Sequence, residues 1–234
     1  QILYDDAIVF IGELLGSDPF FLSCHEDRRT VFIGNIARAN AMVQIAINQA
    51  LKIEVPKFDK KKFEKAVDYA LTLTTQHGDF YPLIRQAFEN AGVIFVILPN
   101  LPGSGINGAT KKIGQNVMLM VNDRRFYSDT FWFTLFHEIG HIINGDYGIT
   151  FENEHAGQED AADKYAEDKL IPPGEYEAFV RMNEFSENAI RRFAERIDRD
   201  PGIVLGRLQN DQIVPFTNVA LSKALKHKYK VITS

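Results

Sequence analysis

Apolar residues recur at three- and four-residue steps along much of the chain, and this spacing predicts amphipathic helices. The helices predicted in this way cover residues 2–15, 35–51, 59–73, 80–90, 158–171, 174–182, 186–197, 201–208 and 217–227. The stretch at residues 30–33 (TVFI) is rich in β-branched residues and predicts a short strand or an extended link.

Two continuous apolar runs predict buried strands, at residues 93–98 (VIFVIL) and 116–121 (NVMLMV), and residues 108–110 predict a third strand. Helices that flank a small sheet indicate an α+β fold. We expect the strand at residues 116–121 to lie at a sheet edge, where it can bind an extended peptide by strand addition. We divide the chain into an N-terminal helical segment, residues 1–57, and a domain that covers residues 58–234 with its C-terminal helices.

The stretch at residues 130–145 (TFWFTLFHEIGHIING) contains His137-Glu138-Ile139-Gly140-His141, an H-E-x-x-H motif within an apolar run. On a helix, residues four apart lie on one face, so both imidazoles point at one spot. Two neutral imidazoles in this arrangement suit Zn²⁺, and the intervening Glu138 is then placed to act as a general base. The alternative is an ordinary core helix whose two histidines form hydrogen bonds elsewhere.

The ends of this helix are also marked in the sequence. Ser128 or Asp129 can cap its start, and Asn144-Gly145 supplies residues that end a helix readily in a left-handed turn. The apolar stripe formed by Phe133, Phe136, Gly140 and Ile143 predicts a buried face.

A catalytic zinc ion takes three protein ligands, so a third ligand is expected downstream of the motif. The candidates are Asp146, Glu152, Glu154, His155, Glu159, Asp160 and Asp163. The extended pattern H-E-x-x-H-x-x-G-x-x-H is excluded, because Asn144 and Tyr147 occupy the positions that need Gly and His. His155, in a loop, is an alternative ligand to Glu159.

Glu159 is favoured because it begins a predicted helix whose Ala162 and Ala166 permit another helix to approach closely. Asp163, four residues after Glu159, can accept the second ring N–H of a ligating histidine and so fix the orientation of that ring. From the residues alone, a solvated acidic helix face explains this pattern equally well.

Composition restricts the function further. The net charge of −5 argues against a surface that binds nucleic acid over the whole protein, and the single cysteine, Cys24, excludes an intrachain disulfide and a cysteine zinc cluster. The sequence contains neither an apolar run long enough to span a membrane nor a secretory signal, so we expect a cytoplasmic protein. Because the chain begins at Gln1, we expect a fragment or a processed product.

The motif helix and the segment after it resemble the ImmA/IrrE family of zinc-peptidase-like proteins. The similarity rests on FWFTLF before HEIGH and on EDAADKYA at residues 159–166, which resembles the family's E-x-x-A-N-x-F-A, followed by LIP at residues 170–172. The resemblance implies a zincin-like core and favours His137, His141 and Glu159 as zinc ligands. Asp163 departs from the family's Asn, which changes the charge next to the ligands.

The resemblance also implies a function. Members of the ImmA/IrrE family are cytoplasmic zinc endopeptidases that cleave or regulate a helix-turn-helix repressor or a toxin–antitoxin partner. Some members carry a DNA-binding domain N-terminal to the peptidase. We therefore expect this chain to contact DNA only through such a domain, removed from its N-terminus. In the implied mechanism, Glu138 takes a proton from water and passes it to the leaving amine.

Two other functions compete with this interpretation. Residues 186–209 have the helix–turn–helix layout and five arginines of a DNA-binding regulator, but interspersed acidic residues favour a packing role. The second alternative is a non-cleaving, antitoxin-like transcriptional regulator with a structural or sensory metal site. In that case His155 or Asp163 is expected to fill the fourth coordination position.

Overall fold

The structure is a computed structural model, and it describes residues 26–122, 127–151 and 157–229. Its helices are α1 (Glu26–Ala50), α2 (Lys60–Thr72), α3 (Phe80–Glu89), α4 (Ser128–Asn144), α5 (Gly157–Leu170), α6 (Pro173–Arg181), α7 (Glu187–Arg196), α8 (Pro201–Asn210) and α9 (Val219–Leu225). Its strands are β1 (Val93–Leu98), β2 (Ile106–Ile113), β3 (Asn116–Asn122) and β4 (Ile149–Phe151). The predicted α+β class is confirmed.

The four strands form one mixed sheet in the order β1-β3-β2-β4. β1 runs parallel to β3, whereas β2 is antiparallel to both β3 and β4. The prediction that residues 116–121 form an edge strand is therefore wrong, because β3 is hydrogen-bonded on both sides. A run of buried apolar residues identifies a strand but carries no information about its neighbours.

The two faces of the sheet are covered by different helices. On one face, Met118 and Met120 of β3 pack against Met42 and Val43 of α1. On the other face, Leu119 of β3 belongs to the larger core that includes the apolar residues of α4. Neighbouring residues of a strand point to opposite faces, so this alternation places α1 and α4 on opposite sides of the sheet.

Helix α1 starts earlier than the sequence predicted. Residues 30–33 are helical, so the predicted strand or extended link there is wrong. The helix propensities of ordinary residues differ by at most about 0.7 kcal/mol, so a β-branched stretch is easily incorporated into a long helix. The packing of α1 on the sheet gives the predicted segments 1–57 and 58–234 a shared apolar cluster, and their division into separate units stays a prediction. The helix predicted at residues 2–15 lies outside the described residues.

The remaining predicted helices are present with boundaries shifted by a few residues. The side chain of Asp59 caps α2 by accepting a hydrogen bond from the backbone of Lys62, and Ser186 caps α7 in the same way through Ala189. Within the described ranges, no helix combines the length and apolar composition needed to span a bilayer.

Candidate metal centre

Helix α4 carries the H-E-x-x-H residues through the middle of the larger core. Trp132, Leu135, Phe136 and Ile139 are fully buried, and Gly145 ends the helix in the left-handed conformation with φ of 81°. This C-cap was predicted from the sequence. The apolar surroundings keep water away from most of the helix, so polar groups on it interact strongly with one another.

The predicted N-cap of α4 is wrong, because Tyr127 occupies that position and forms no side-chain capping bond. Ser128 is instead the first helical residue, and its hydroxyl lies 3.2 Å from Asp200 Oδ1. The backbone N–H of His227 also donates to that hydroxyl, at 3.3 Å. The long-range contacts therefore decide the role of Ser128, and sequence proximity does not reveal them.

Helix α5 approaches α4 closely where both carry small residues. A Cβ atom added to Gly140 would lie 3.1 Å from Ala162 Cα and 3.2 Å from Ala162 O, tighter than ordinary contact. Ala162 and Ala166 are fully buried, as the small-residue stripe predicted. This close approach brings the first turn of α5, with Glu159, over the motif face of α4.

Three side chains meet at this helix crossing. His137 Nε2 lies 3.0 Å from His141 Nε2 and 3.1 Å from Glu159 Oε2. His141 Nε2 lies 3.4 Å from Glu159 Oε1. Only 7% of each histidine side chain and 15% of the Glu159 side chain are exposed. The centre is thus nearly closed and contains two ring nitrogens and one carboxylate.

The outer ring nitrogens of both histidines face carboxylates. His137 Nδ1 lies 2.7 Å from Asp163 Oδ1 and donates to it, because an ionised carboxylate can only accept. His141 Nδ1 lies 3.3 Å from Asp146 Oδ1. A proton held on Nδ1 leaves the Nε2 lone pair free for a metal, and such outer carboxylates orient the ring and make it a stronger ligand.

The charges of the centre favour a cation. Burial lowers the pKa of His137, but hydrogen bonds to Asp163 and Glu159 outweigh it and raise the pKa to about 10. Burial raises the pKa of Glu159, but its contacts with His137 and His141 outweigh it and lower the pKa to about 2. Glu159 therefore remains ionised and stabilises a positive charge beside it.

Glu138 lies beside the centre but is not one of the three side chains that could bind the metal. Its side chain is fully buried, and neither carboxylate oxygen has a well-formed hydrogen bond among the described residues, although a weaker contact with the Thr150 side chain acts to lower its pKa. Burial raises its pKa to about 7, against the opposing effect of His137 and His141. A buried carboxyl group with so little hydrogen bonding is costly for the folded protein, and such groups occur at catalytic sites.

Strand β2 holds Glu138 in place through a glycine. A Cβ atom added to Gly108 would lie 2.6 Å from Glu138 Cγ and closer still to the carboxylate. The backbone of Gly108 thus forms the wall against which the side chain rests. The pairing of β2 with β4 shifts register between Ile106 and Gly108, and such irregularities often occur beside functional sites.

His137, His141 and Glu159 can together hold a metal ion. In a tetrahedral site with bonds of about 2.0–2.2 Å, the ligand atoms lie about 3.3–3.5 Å apart, close to the separations of 3.0–3.4 Å found here. Three lone-pair donors this close repel one another unless a proton or a cation lies between them. The donor set, the outer carboxylates and the buried Glu138 therefore fit a divalent metal such as zinc.

The other sequence candidates are distributed around this centre. Asp163 and Asp146 contact the outer faces of the two histidines, so neither is a third ligand, whereas Asp160 is exposed. Glu152, Glu154 and His155 lie outside the described residues. The assignment of His137, His141 and Glu159 as ligands, of Asp163 as their partner and of Glu138 as the base stays a prediction.

The sequence did not predict the contacts that Gly108 and Asp146 make in the metal centre. Gly108 lies far from the motif in sequence, and only the pairing of β2 with its neighbours brings it to Glu138. Asp146 was considered as a ligand but not as the partner of His141, although its position one residue after the C-cap of α4 favours contact with the last turn.

A cavity of about 560 Å³ lies along the N-terminal half of α4, and neither Glu138 nor the three residues of the centre line it. Its lining includes Phe133 and Thr134, one turn before His137, and Asn107, which precedes Gly108. Glu167 of α5 and Arg207 of α8 form an ion pair at 3.2 Å and also line the cavity.

Comparison of the chain with protein-family models and with curated proteins finds no match.

Proposed function

We propose that this protein is a zinc-dependent endopeptidase with a zincin-like core, similar to ImmA/IrrE proteins. The observation that supports the proposal most is the convergence of His137, His141 and Glu159 beside the fully buried carboxyl group of Glu138. A metal ligand set and an adjacent acid–base group together are what hydrolysis by a zinc peptidase requires.

In the proposed reaction, the zinc ion and the protein side chains have separate roles. When bound, zinc supplies Lewis acidity that polarises a scissile carbonyl and lowers the pKa of water from 15.7 to about 7. Glu138 takes the proton of the attacking water and delivers it to the leaving amine. The burial that raises its pKa to about 7 suits a group that must accept and release a proton near neutral pH. A hydrogen bond to Asp163 orients the ring of His137, and Asp146 lies 3.3 Å from the outer nitrogen of His141.

A peptide substrate needs a surface beside the centre. Among the described strands, β4 lies at the edge of the sheet next to β2 and therefore takes the place that the sequence assigned to β3. An extended peptide can add to this edge through backbone hydrogen bonds. The cavity along α4, with Phe133 and the ion pair Glu167–Arg207, can receive a neighbouring side chain.

The proposed substrate is a helix-turn-helix repressor or a toxin–antitoxin partner. This part of the proposal rests on the resemblance of residues 159–172 and of the motif helix to ImmA/IrrE proteins. A cytoplasmic location belongs to the same proposal.

Two observations favour the peptidase over its competitors. A structural zinc site has four protein ligands, and Asp163, one candidate for the fourth, is engaged on the outer side of His137. The helix that would enter a DNA groove, α8, is packed into the core through Ile203, Val204, Leu205 and Leu208. A recognition helix must expose the face that reads the bases.

The test is cleavage of a purified helix-turn-helix repressor offered as substrate. We expect the zinc-loaded protein to cut it, a chelator to stop the reaction, and added zinc to restore it. A variant with His137→Gln and His141→Gln, purified in the same way, should remain inactive after zinc is added, which excludes a contaminating protease. Cleavage that continues in chelator or in this variant contradicts the proposal.

A further inference from the structure

A second cluster of two histidines and one carboxylate lies near the start of α4. His77 comes from the loop between α2 and α3, Asp200 from the turn before α8, and His227 from the segment after α9. Asp200 Oδ2 lies 3.4 Å from His77 Nε2 and 3.2 Å from His227 Nδ1. We propose that these three side chains form a second binding site for a transition-metal dication such as Zn²⁺, which fastens the C-terminal segment to the start of α4.

The carboxylate of this cluster is fixed in place. Asp200 is fully buried, and its Oδ1 accepts a hydrogen bond from the backbone N–H of Gly202 at 2.8 Å and lies 3.2 Å from Ser128 Oγ. A Cβ atom at Gly202 would come within 2.6 Å of Oδ1, so the packing leaves the carboxylate little freedom. The other oxygen, Oδ2, is thereby directed at the two histidines.

Each imidazole has a nitrogen close to this oxygen. The two rings are stacked, with centroids 3.5 Å apart and an angle of 21° between the planes, so the more exposed ring of His227 must turn before both lone pairs point at one ion. The nitrogen–oxygen separations of 3.2 and 3.4 Å match the distance of about 3.3–3.5 Å between ligand atoms of a tetrahedral zinc site. Of the side chains, 35% of His77 and 43% of His227 are exposed, so an ion can reach them from solvent.

The environment of His77 is also that of a metal ligand. Its outer nitrogen, Nδ1, lies 3.4 Å from the Tyr229 hydroxyl, which accepts a hydrogen bond from Trp132 Nε1 at 3.2 Å. An outer hydrogen-bond partner of this kind fixes the ring of a ligating histidine. A single proton can bridge Asp200 to only one ring at a time, whereas a dication can bind both rings and the carboxylate together.

An ion at this position would act on the first turn of α4. The backbone N–H of Ser128 donates to His227 O at 2.8 Å, and Lys226 pairs with Asp129 at 2.6 Å. The segment that carries His227 thus already contacts the helix that bears the H-E-x-x-H residues. Cross-linking His227 to His77 and Asp200 through a metal would hold these contacts together, and it is independent of the proposed peptidase activity.

The experiment measures bound zinc in a background without the first centre. The whole chain with His137→Gln and His141→Gln is stripped with a chelator, reloaded with Zn²⁺, desalted and analysed for metal. We expect about one zinc ion per chain and an increase of several degrees in Tm on zinc addition. Adding His227→Gln to this background should remove both the ion and the increase in Tm, whereas the neighbouring change Lys228→Gln should retain them.

A background that binds no zinc, or a His227→Gln variant that keeps the ion and the Tm increase, overturns the proposal. If the background does not fold, the comparison is made in the otherwise unchanged protein with the exposed residue His77. There His77→Gln should lower the zinc content by one ion per chain relative to Gln76→Ala, and equal contents overturn the proposal.

Discussion

The two histidine clusters contain the same kinds of ligand atom but lie in different surroundings. Around His137 and His141 the side chains are nearly closed off, with further carboxylates outside the rings and the buried Glu138 beside them. The cluster at Asp200 has partly exposed histidines, and hydroxyl groups rather than acids contact Asp200 and His77 from outside. In the functions proposed above, only the first cluster is suited to hydrolysis, because it alone has a buried acid–base group next to its ligand atoms.

The largest expected effect comes from making the first cluster resemble the second. Glu138→Gln keeps the shape of the side chain but removes its ability to take a proton. We expect cleavage to fall by about 10²–10⁴-fold, the usual contribution of a general base, with zinc content unchanged. Cleavage rates and metal content are measured on the same preparation. Undiminished cleavage would remove Glu138 from the mechanism, and lost zinc would make it a ligand.

A second change displaces Glu138 without altering it. Gly108→Ala adds a methyl group where Glu138 now packs, and a displacement of about 1 Å can reduce catalysis by about 10²-fold. We expect cleavage to fall to that extent while zinc affinity is retained. Gly148→Ala is the matched control, because a Cβ atom there meets nothing within 4 Å. Equal activity of the two variants would contradict the role given to Gly108.

A third change weakens the outer support of His137. Asp163→Ala removes the acceptor of the Nδ1 proton, and loss of such partners lowers metal affinity by about 10–100-fold. Asp163→Asn should lose less, because the amide oxygen still accepts the hydrogen bond. Zinc affinity is measured by competition with a chromophoric chelator, with the exposed neighbour Asp160→Asn as control. An affinity for Asp163→Ala equal to that control would show that the carboxylate does not support the ligand.

The smallest expected effect tests the helix contact on which the first cluster depends. Gly140→Ala crowds Ala162, and overpacking of this kind costs about 1–3 kcal/mol, partly offset by the better helix propensity of Ala, about 1 kcal/mol. We expect the free energy of unfolding to fall by about 1 kcal/mol. The helical Gly174, where a Cβ atom has space, should tolerate alanine without loss. Equal unfolding curves for both variants would mean that α4 and α5 are not in close contact.

The sequence predicts the first cluster because its parts obey local rules. The i, i+4 spacing places His137 and His141 on one face, and the small residues of α5 indicate the close approach that brings Glu159 near. The positions of Gly108 against Glu138 and of β3 inside the sheet depend on strand order, which apolar runs do not encode.

The second cluster could not be predicted from local sequence spacing. His77, Asp200 and His227 are far apart in the chain and meet only after α2, α8 and the segment beyond α9 have packed around α4. Each of them alone has the sequence context of an ordinary loop residue. The same long-range packing turned Ser128 from a predicted cap into a partner of Asp200.

The most direct test of the metal centre is a crystal structure of the zinc-loaded protein with anomalous diffraction at the zinc absorption edge. We predict an anomalous peak about 2.0–2.2 Å from His137 Nε2, His141 Nε2 and a Glu159 oxygen, with Glu138 close by but not coordinated. Absence of a peak at this position, or an ion there that does not contact Glu159, would contradict the account.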